Sequence, residues 1–178
     1  MADVVARSTQ PALGAIKLAW WRERLEELDQ GKVPAEPRLQ AAAKELLPRG
    51  ISGRDLSELE QGWAKLLEEP DPKSFILCSG QRGPLLFQLA AKLVDPANDY
   101  NLSGAGTEFA FVDLARRGFV DVVAQRFYRM TRYPRRIRPV TAWWALARRD
   151  QKLGGPPFER EATPGRAWTL LRHRLTGR

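Results

Sequence analysis

Eight arginines crowd the stretch between residues 116 and 138: Arg116, Arg117, Arg126, Arg129, Arg132, Arg135, Arg136 and Arg138. A guanidinium is a planar fork of donors that can grip a phosphate or carboxylate through two bonds at once. Such a block attracts polyanions, whether diphosphates, anionic lipid headgroups or nucleic acid. A solvated arginine-rich face is the other reading. The excess is local, because residues 1–89 carry 12 Lys and Arg against 13 Asp and Glu, while residues 90–178 carry 17 against 8.

The carboxylates are spaced less favourably. Magnesium takes oxygen ligands, and residues three or four apart share one helical face. Glu108 and Asp113 are five apart, and Asp113 and Asp121 are eight apart, close to two turns but a poor bidentate clamp. Glu23, Glu26 and Glu27 have suitable spacing, but they alternate with Arg22 and Arg24, which points to an exposed ion-pair face. The lone histidine, His173, excludes a multi-histidine metal site. The lone cysteine, Cys78, cannot form an internal disulfide and sits in an apolar stretch as an inert core residue. A reducing cytoplasm fits it.

These residues must be carried by helices. Leu18, Trp21, Leu25 and Leu28 recur at spacings of three and four, and Gly31 is a stop signal. Pro37 precedes a short helix, Arg38 to Leu47, ended by Pro48 and Gly50. Ser52-Gly-Arg-Asp55 has capping-box spacing and opens a helix with Leu56, Leu59, Trp63 and Leu66 on one face, closed by Pro70-Asp-Pro72. The apolar segment Ser74 to Val94 is interrupted by Gly80, Gly83 and Pro84, so it reads as a kinked helix or two short ones. A loop, Asp95 to Asn101, leads to a helix from Ser103 to about Arg117, and another is expected from Val120 to Arg129. After a bend at Tyr133-Pro134, Pro139 suits the first turn of a helix carrying Trp143, Trp144 and Leu146. Gly154-Gly-Pro-Pro157 ends it, and a last helix, Arg166 to Leu175, carries Trp168, Leu170, Leu171 and Leu175.

No strand pattern and no repeat competes with this. The expected architecture is all-α, a single bundle of about seven or eight helices forming one domain over residues 1–178. The 178 residues are enough for a sizeable core. No apolar run reaches about 18 residues, and the first residues do not pattern as a secretory signal. The expected location is cytoplasmic.

In that first helix the run Leu18-Ala-Trp-Trp-Arg22 resembles the Leu-x-x-Trp-Arg helix of the squalene/phytoene synthase family. The similarity continues in order along most of the chain. Pro37-Arg-Leu-Gln-Ala-Ala resembles the family's His-Pro-Val-x-x-Ala-Leu segment, with Glu36 where His is usual. Leu56 to Leu67 resembles Leu-x-x-Leu-Ile-x-Gly-Met-Glu-x-Asp-Leu; Gly62 matches, while Ala64 and Leu66 replace the acidic pair. Ser79-Gly-Gln-Arg-Gly83 resembles Ala-Gly-x-Val-Gly. Gly106 to Arg116 resembles Gly-x-Ala-x-Gln-Leu-Thr-Asn-Ile-Leu-Arg, which in the family precedes the second aspartate-rich motif. Arg116 matches its Arg and Asp113 its Asn, whereas the motif's first Asp falls on Arg117 and its last on Asp121.

The resemblance implies an isoprenoid-synthase-like bundle that lacks the family's N-terminal hairpin, and with it the first aspartate motif. Family members join isoprenyl diphosphates on magnesium, so the cofactor implied for an active member is Mg2+. The implied diphosphate-binding residues are Arg82, Arg116 and Arg117. The implied prenyl pocket is Trp21, Gly80, Gly83 and Phe109, the glycines making room for an apolar tail, and the implied metal ligands are Asp113 and Asp121. Trp143 and Trp144 read as channel lining, a membrane-interface anchor or ordinary core. No catalytic residue is assigned.

The function expected is a synthase-like protein that binds a prenyl diphosphate or prenyl lipid with reduced or lost transferase activity. The alternatives are an active magnesium-dependent prenyltransferase, or a non-catalytic assembly or scaffold factor like the family's relatives that assist respiratory complex I. An arginine-rich nucleic-acid-binding protein is the reading from another class. Partners implied are the prenyl ligand, an anionic surface on the inner membrane face, and a protein partner or second copy; nucleic acid ranks last.

Overall fold

A computed structural model describes residues 1–8, 10–68, 71–97, 99–120 and 132–178. Pro70, Asn98, Asp121, Arg126, Arg129 and nearly all of the expected helix from Val120 to Arg129 lie outside the described residues. The described secondary structure is all-α. Seven helices have nine residues or more: α2 (Pro11–Leu28), α3 (Pro37–Glu45), α5 (Leu59–Glu68), α6 (Pro72–Val94), α7 (Ser103–Arg116), α8 (Arg138–Leu153) and α9 (Pro164–Thr176). Two are shorter, α1 (Ala2–Arg7) and α4 (Gly53–Ser57). The residues gather into two compact units, Met1–Arg82 and Gly83–Arg178, divided within α6.

In the first unit α2 packs against α1, α3, α4 and α5. Leu18, Leu25 and Leu28 are buried, as their spacing predicts, and Leu25 and Leu28 share a core with Leu39 and Ala42. Each buried leucine contributes about 2 kcal/mol of transfer free energy. Pro11 begins α2, and Gly31, at φ +75°, takes the left-handed conformation that lets the chain leave it. Glu36 caps α3, its carboxylate accepting from the Leu39 amide at 2.9 Å. The capping box at α4 forms in full: the Asp55 amide donates to the Ser52 hydroxyl at 2.9 Å, and the Ser52 amide donates to the Asp55 carboxylate at 3.1 Å.

One feature of this unit departs from the sequence pattern. The helix expected through Leu56 and Leu59 is broken into α4 and α5. Ser57, buried at the break, shares its hydroxyl between the Arg54 carbonyl at 2.8 Å and the Glu26 carboxylate at 3.3 Å, a local bond that competes with helix continuation. Of the two readings of the next segment, the single helix is the one found: α6 runs through Gly80, Gly83 and Pro84 into the second unit. Pro84 has no amide to give the Gly80 carbonyl, and because Gly80 is exposed, water can serve in its place.

In the second unit α7 packs on α8, and α8 on α9. Its core joins Phe87, Ala91, Leu102, Ala105, Tyr133, Ile137, Val140 and Trp144. The α6 and α7 backbones meet at Gly83 and Gly106. A Cβ on either glycine would collide with the other's carbonyl, so both positions require glycine. The Trp144 indole N–H donates to the buried carboxylate of Glu108, and Tyr133 meets the same indole edge-on at 5.2 Å. Burial, then the charge of Glu108, pushes the Tyr133 phenol above its ordinary pKa. Arg138 closes α9 by donating to the carbonyls of Arg174 at 2.7 Å and Leu175 at 3.0 Å.

Candidate functional site

Four residues singled out in the sequence come together in the second unit. Phe109, Asp113 and Arg116 of α7, and Arg117 that caps it, line a cleft of about 260 Å³ together with Trp143, Leu146, Ala147 and Asp150 of α8 and Glu161 and Arg166. Helical spacing explains the grouping, since 109, 113, 116 and 117 fall on one face. Phe109 packs against Phe87 and Trp143, at 5.5 and 6.1 Å between ring centres. The cleft therefore has an apolar part and a charged part.

The charged part is an ion-pair network. Arg116 grips Asp150 through two bonds, at 2.7 and 2.8 Å, donates to the Glu159 carbonyl at 3.2 Å and lies over the Phe158 ring. The bond to Asp150 raises the Arg116 pKa further above its ordinary value. Arg166 reaches the same carboxylate at 2.8 Å. Asp150 is 2% exposed, so this is a carboxylate taken out of water and held by two guanidiniums. Beside it Arg149 grips Glu159 at 2.6 and 3.1 Å, and Thr163 donates to Glu159 at 2.6 Å. Those two partners pull the Glu159 carboxyl down to about 2. At the outer edge Arg117 pairs with Asp113 at 3.0 Å.

Asp150, Glu159 and Arg166 were not among the sequence candidates. Asp150 is 34 residues from Arg116, so no local spacing relates them. The available cue was an acid kept among the cations of a strongly basic half.

The remaining candidates are placed otherwise. Arg82 belongs to the first unit, where it is buried with its guanidinium 4.4 Å from the Trp63 ring centre. Trp21 packs on the Leu25–Leu39 core and meets the exposed Trp20 edge-on at 5.2 Å. Gly80 faces open space. At Gly83 the room left by the missing side chain is filled by the α7 backbone. Asp121 lies outside the described residues.

The described carboxylates Asp113, Asp150 and Glu108 already have partners. Asp113 is engaged by Arg117, Asp150 by Arg116 and Arg166, and Glu108 by Trp144. Among the described residues no group of three or more His, Cys, Asp or Glu side chains is placed to hold a metal ion.

A second cleft, of about 320 Å³, lies between α8 and α9. Arg148, Arg149, Lys152, Arg172 and Arg178 line it together with Trp144, Leu153 and Trp168. Arg148 sits over the Trp144 ring at 5.0 Å. Among the described helices none is long and apolar enough to cross a membrane.

No protein-family model, no curated protein and no solved structure matches this chain.

Proposed function

We propose that the chain is a squalene/phytoene synthase-like protein that holds a prenyl diphosphate or prenyl lipid in the α7–α8 cleft, with transferase chemistry reduced or lost. The observation that carries the reading is the placement of the Gly106–Arg116 segment. The stretch that resembles the approach to the family's second aspartate motif forms one wall of a cleft that is apolar at Phe109 and Trp143 and cationic at Arg116 and Arg117. An apolar tail and an anionic head need those two surfaces side by side.

The reading favours binding over catalysis because the carboxylates are spent on arginines. Ionising a prenyl diphosphate requires magnesium to neutralise the leaving group. Here Arg117 occupies the position of the motif's first aspartate and pairs with Asp113. An exposed ion pair of this kind is worth under about 1 kcal/mol, so a diphosphate can replace Asp113 as the partner of Arg117. The proposed location is cytoplasmic, with a peripheral position on the inner membrane face.

Calorimetric titration with farnesyl diphosphate, with and without magnesium, and a parallel assay of released diphosphate test this. Binding without release is expected. Arg117→Ala should weaken binding by roughly tenfold, the worth of a charge-assisted hydrogen bond. Asp113→Asn should strengthen it, because it removes the competing carboxylate. Magnesium-dependent release that Asp113→Asn abolishes would establish an active transferase instead, and absence of binding would remove the ligand.

A further inference from the structure

Helix α9 is packed the wrong way round for a helix whose apolar side seeks a core. Toward α8 it turns Arg166, paired with Asp150 at 2.8 Å, and His173, whose Nε2 lies 2.9 Å from the Thr141 hydroxyl. These two are seven residues apart, two turns of one face. Trp168, Leu171 and Leu175, spaced three and four apart, lie on another face and are 65, 46 and 68% exposed. Leu153, at the end of α8, is 58% exposed and lines the same cleft as Trp168. Isolated exposed leucines are ordinary, but a stripe of them beside a tryptophan on one short helix marks a contact surface.

Charge selects the occupant. α9 contains no acidic residue, and Arg172, Arg174 and Arg178 flank the stripe. The adjoining cleft adds Arg148, Arg149 and Lys152 and is lined by no carboxylate. A second copy of this chain would bring the same cations against these, so self-association is disfavoured. A surface that offers apolar depth beneath a layer of negative charge complements both features. Trp at the boundary, Leu below it and Arg around it is the composition of a helix lying in a bilayer interface.

We propose that α9, with the end of α8, is a docking surface for an anionic lipid bilayer: Trp168, Leu171, Leu175 and Leu153 enter the interface, and Arg172, Arg174 and Arg178 meet the headgroup phosphates. The proposal supplies the surface for a peripheral protein and does not depend on what the α7–α8 cleft binds.

The test is flotation of the intact chain with vesicles of phosphatidylcholine alone and of phosphatidylcholine mixed with phosphatidylglycerol. Neither contains a prenyl lipid, so failure of the prenyl reading leaves this result untouched. The chain should float with the anionic vesicles and far less with the neutral ones. Replacing Trp168, Leu171 and Leu175 together by serine keeps every charge and should reduce binding by more than tenfold. Arg172→Gln with Arg174→Gln should reduce it by roughly fivefold per arginine. Trp168→Phe should remove most of the blue shift in tryptophan emission on vesicle addition. Trp168, Leu171 and Leu175 are exposed, so they can be changed without opening the core, and far-ultraviolet dichroism of each variant checks this. Failure of the wild type to float with anionic vesicles overturns the proposal. So does a triple serine variant that floats as well as the wild type, because attraction would then be a matter of net charge alone. A wild-type dimer that the triple serine variant abolishes would assign the stripe to a second copy and also overturn it.

Discussion

Two clefts along α8 differ in how their arginines are matched. In the cleft against α7, Arg116 and, from α9, Arg166 converge on Asp150, and Arg117 is matched by Asp113. In the cleft against α9, Arg149 is held by Glu159, and the neighbouring apolar side chains stand out in solvent. The first cleft is a structural tie, and the second is the surface proposed above for an anionic bilayer. What separates them most is Asp150, which holds two guanidiniums at once. A count of charges along the chain cannot see this. Among the described arginines between 116 and 138, Arg116 and Arg117 are tied to carboxylates, and Arg132 and Arg138 to backbone carbonyls of the α9 end.

Removing the acid that makes the difference should have the largest effect. Asp150→Asn leaves Arg116 and Arg166 together without a counter-charge in a largely dry place. Breaking a buried pair this way costs about 3 to 5 kcal/mol. A urea titration followed by tryptophan emission should show the midpoint fall by that amount. Asp113→Asn, which removes the cleft acid whose partner Arg117 is exposed, should lower it less. Equal effects from the two would mean that Asp150 is better solvated than its 2% exposure implies.

A smaller but still large effect is expected where α6 crosses α7. Gly106→Ala places a methyl group against the Gly83 carbonyl, and the helices must separate to admit it. Overpacking of this kind costs about 1 to 3 kcal/mol. Gly80→Ala, four residues from Pro84 with open space around it, should be neutral or slightly stabilising, because alanine is the better helix former. The contrast measures how far the glycines of this segment serve helix packing. A destabilising Gly80→Ala alongside a harmless Gly106→Ala would reverse the assignment.

The difference between those two glycines also shows how much the sequence could say. Its periodicity was enough for the helices, for the buried face of Leu18, Leu25 and Leu28, for the stop at Gly31 and for the capping box at Ser52, because each depends on neighbours within four residues. The grouping of Phe109, Asp113, Arg116 and Arg117 was legible for the same reason. What each of them touches was not. Asp150 lies 34 residues from Arg116, and Glu108 lies 36 from Trp144. The sequence left α6 open between one helix and two, since proline and glycine report local preference, and the packing of Gly83 on Gly106 lies 23 residues away in the chain. Trp143 and Trp144 show the limit most simply: they are adjacent in the chain, yet one is 60% exposed and the other 2%.

The smallest effect concerns His173, which ties α9 to α8 without charge. It is 1% exposed, and burial holds its pKa below the ordinary value of 6.5. In the unfolded chain it titrates near its usual value of about 6.5. Between the two values the unfolded chain binds a proton that the folded chain does not, so stability falls as pH falls. Neutral His173 thus contributes stability that is present above pH about 6.5 and is lost progressively on acidification below it. Glu159 acts lower, its contribution being lost only as pH falls from about 4.5 toward about 2. Trp144 lies edge-on to the His173 ring at 6.3 Å, so near-ultraviolet dichroism of its indole reports the same contact. The unfolding free energy from urea titrations read by that signal should fall between pH 7.5 and 5.5 in the wild type, by at most about 1.4 kcal/mol, since pH 5.5 lies about one unit below the unfolded value. His173→Gln should flatten the dependence whatever it does to the absolute stability, since glutamine keeps a polar group near Thr141 and does not titrate. A wild-type midpoint unchanged across that window would mean that His173 accepts its proton in place, and that α9 is held to α8 by Arg138 and Arg166 alone.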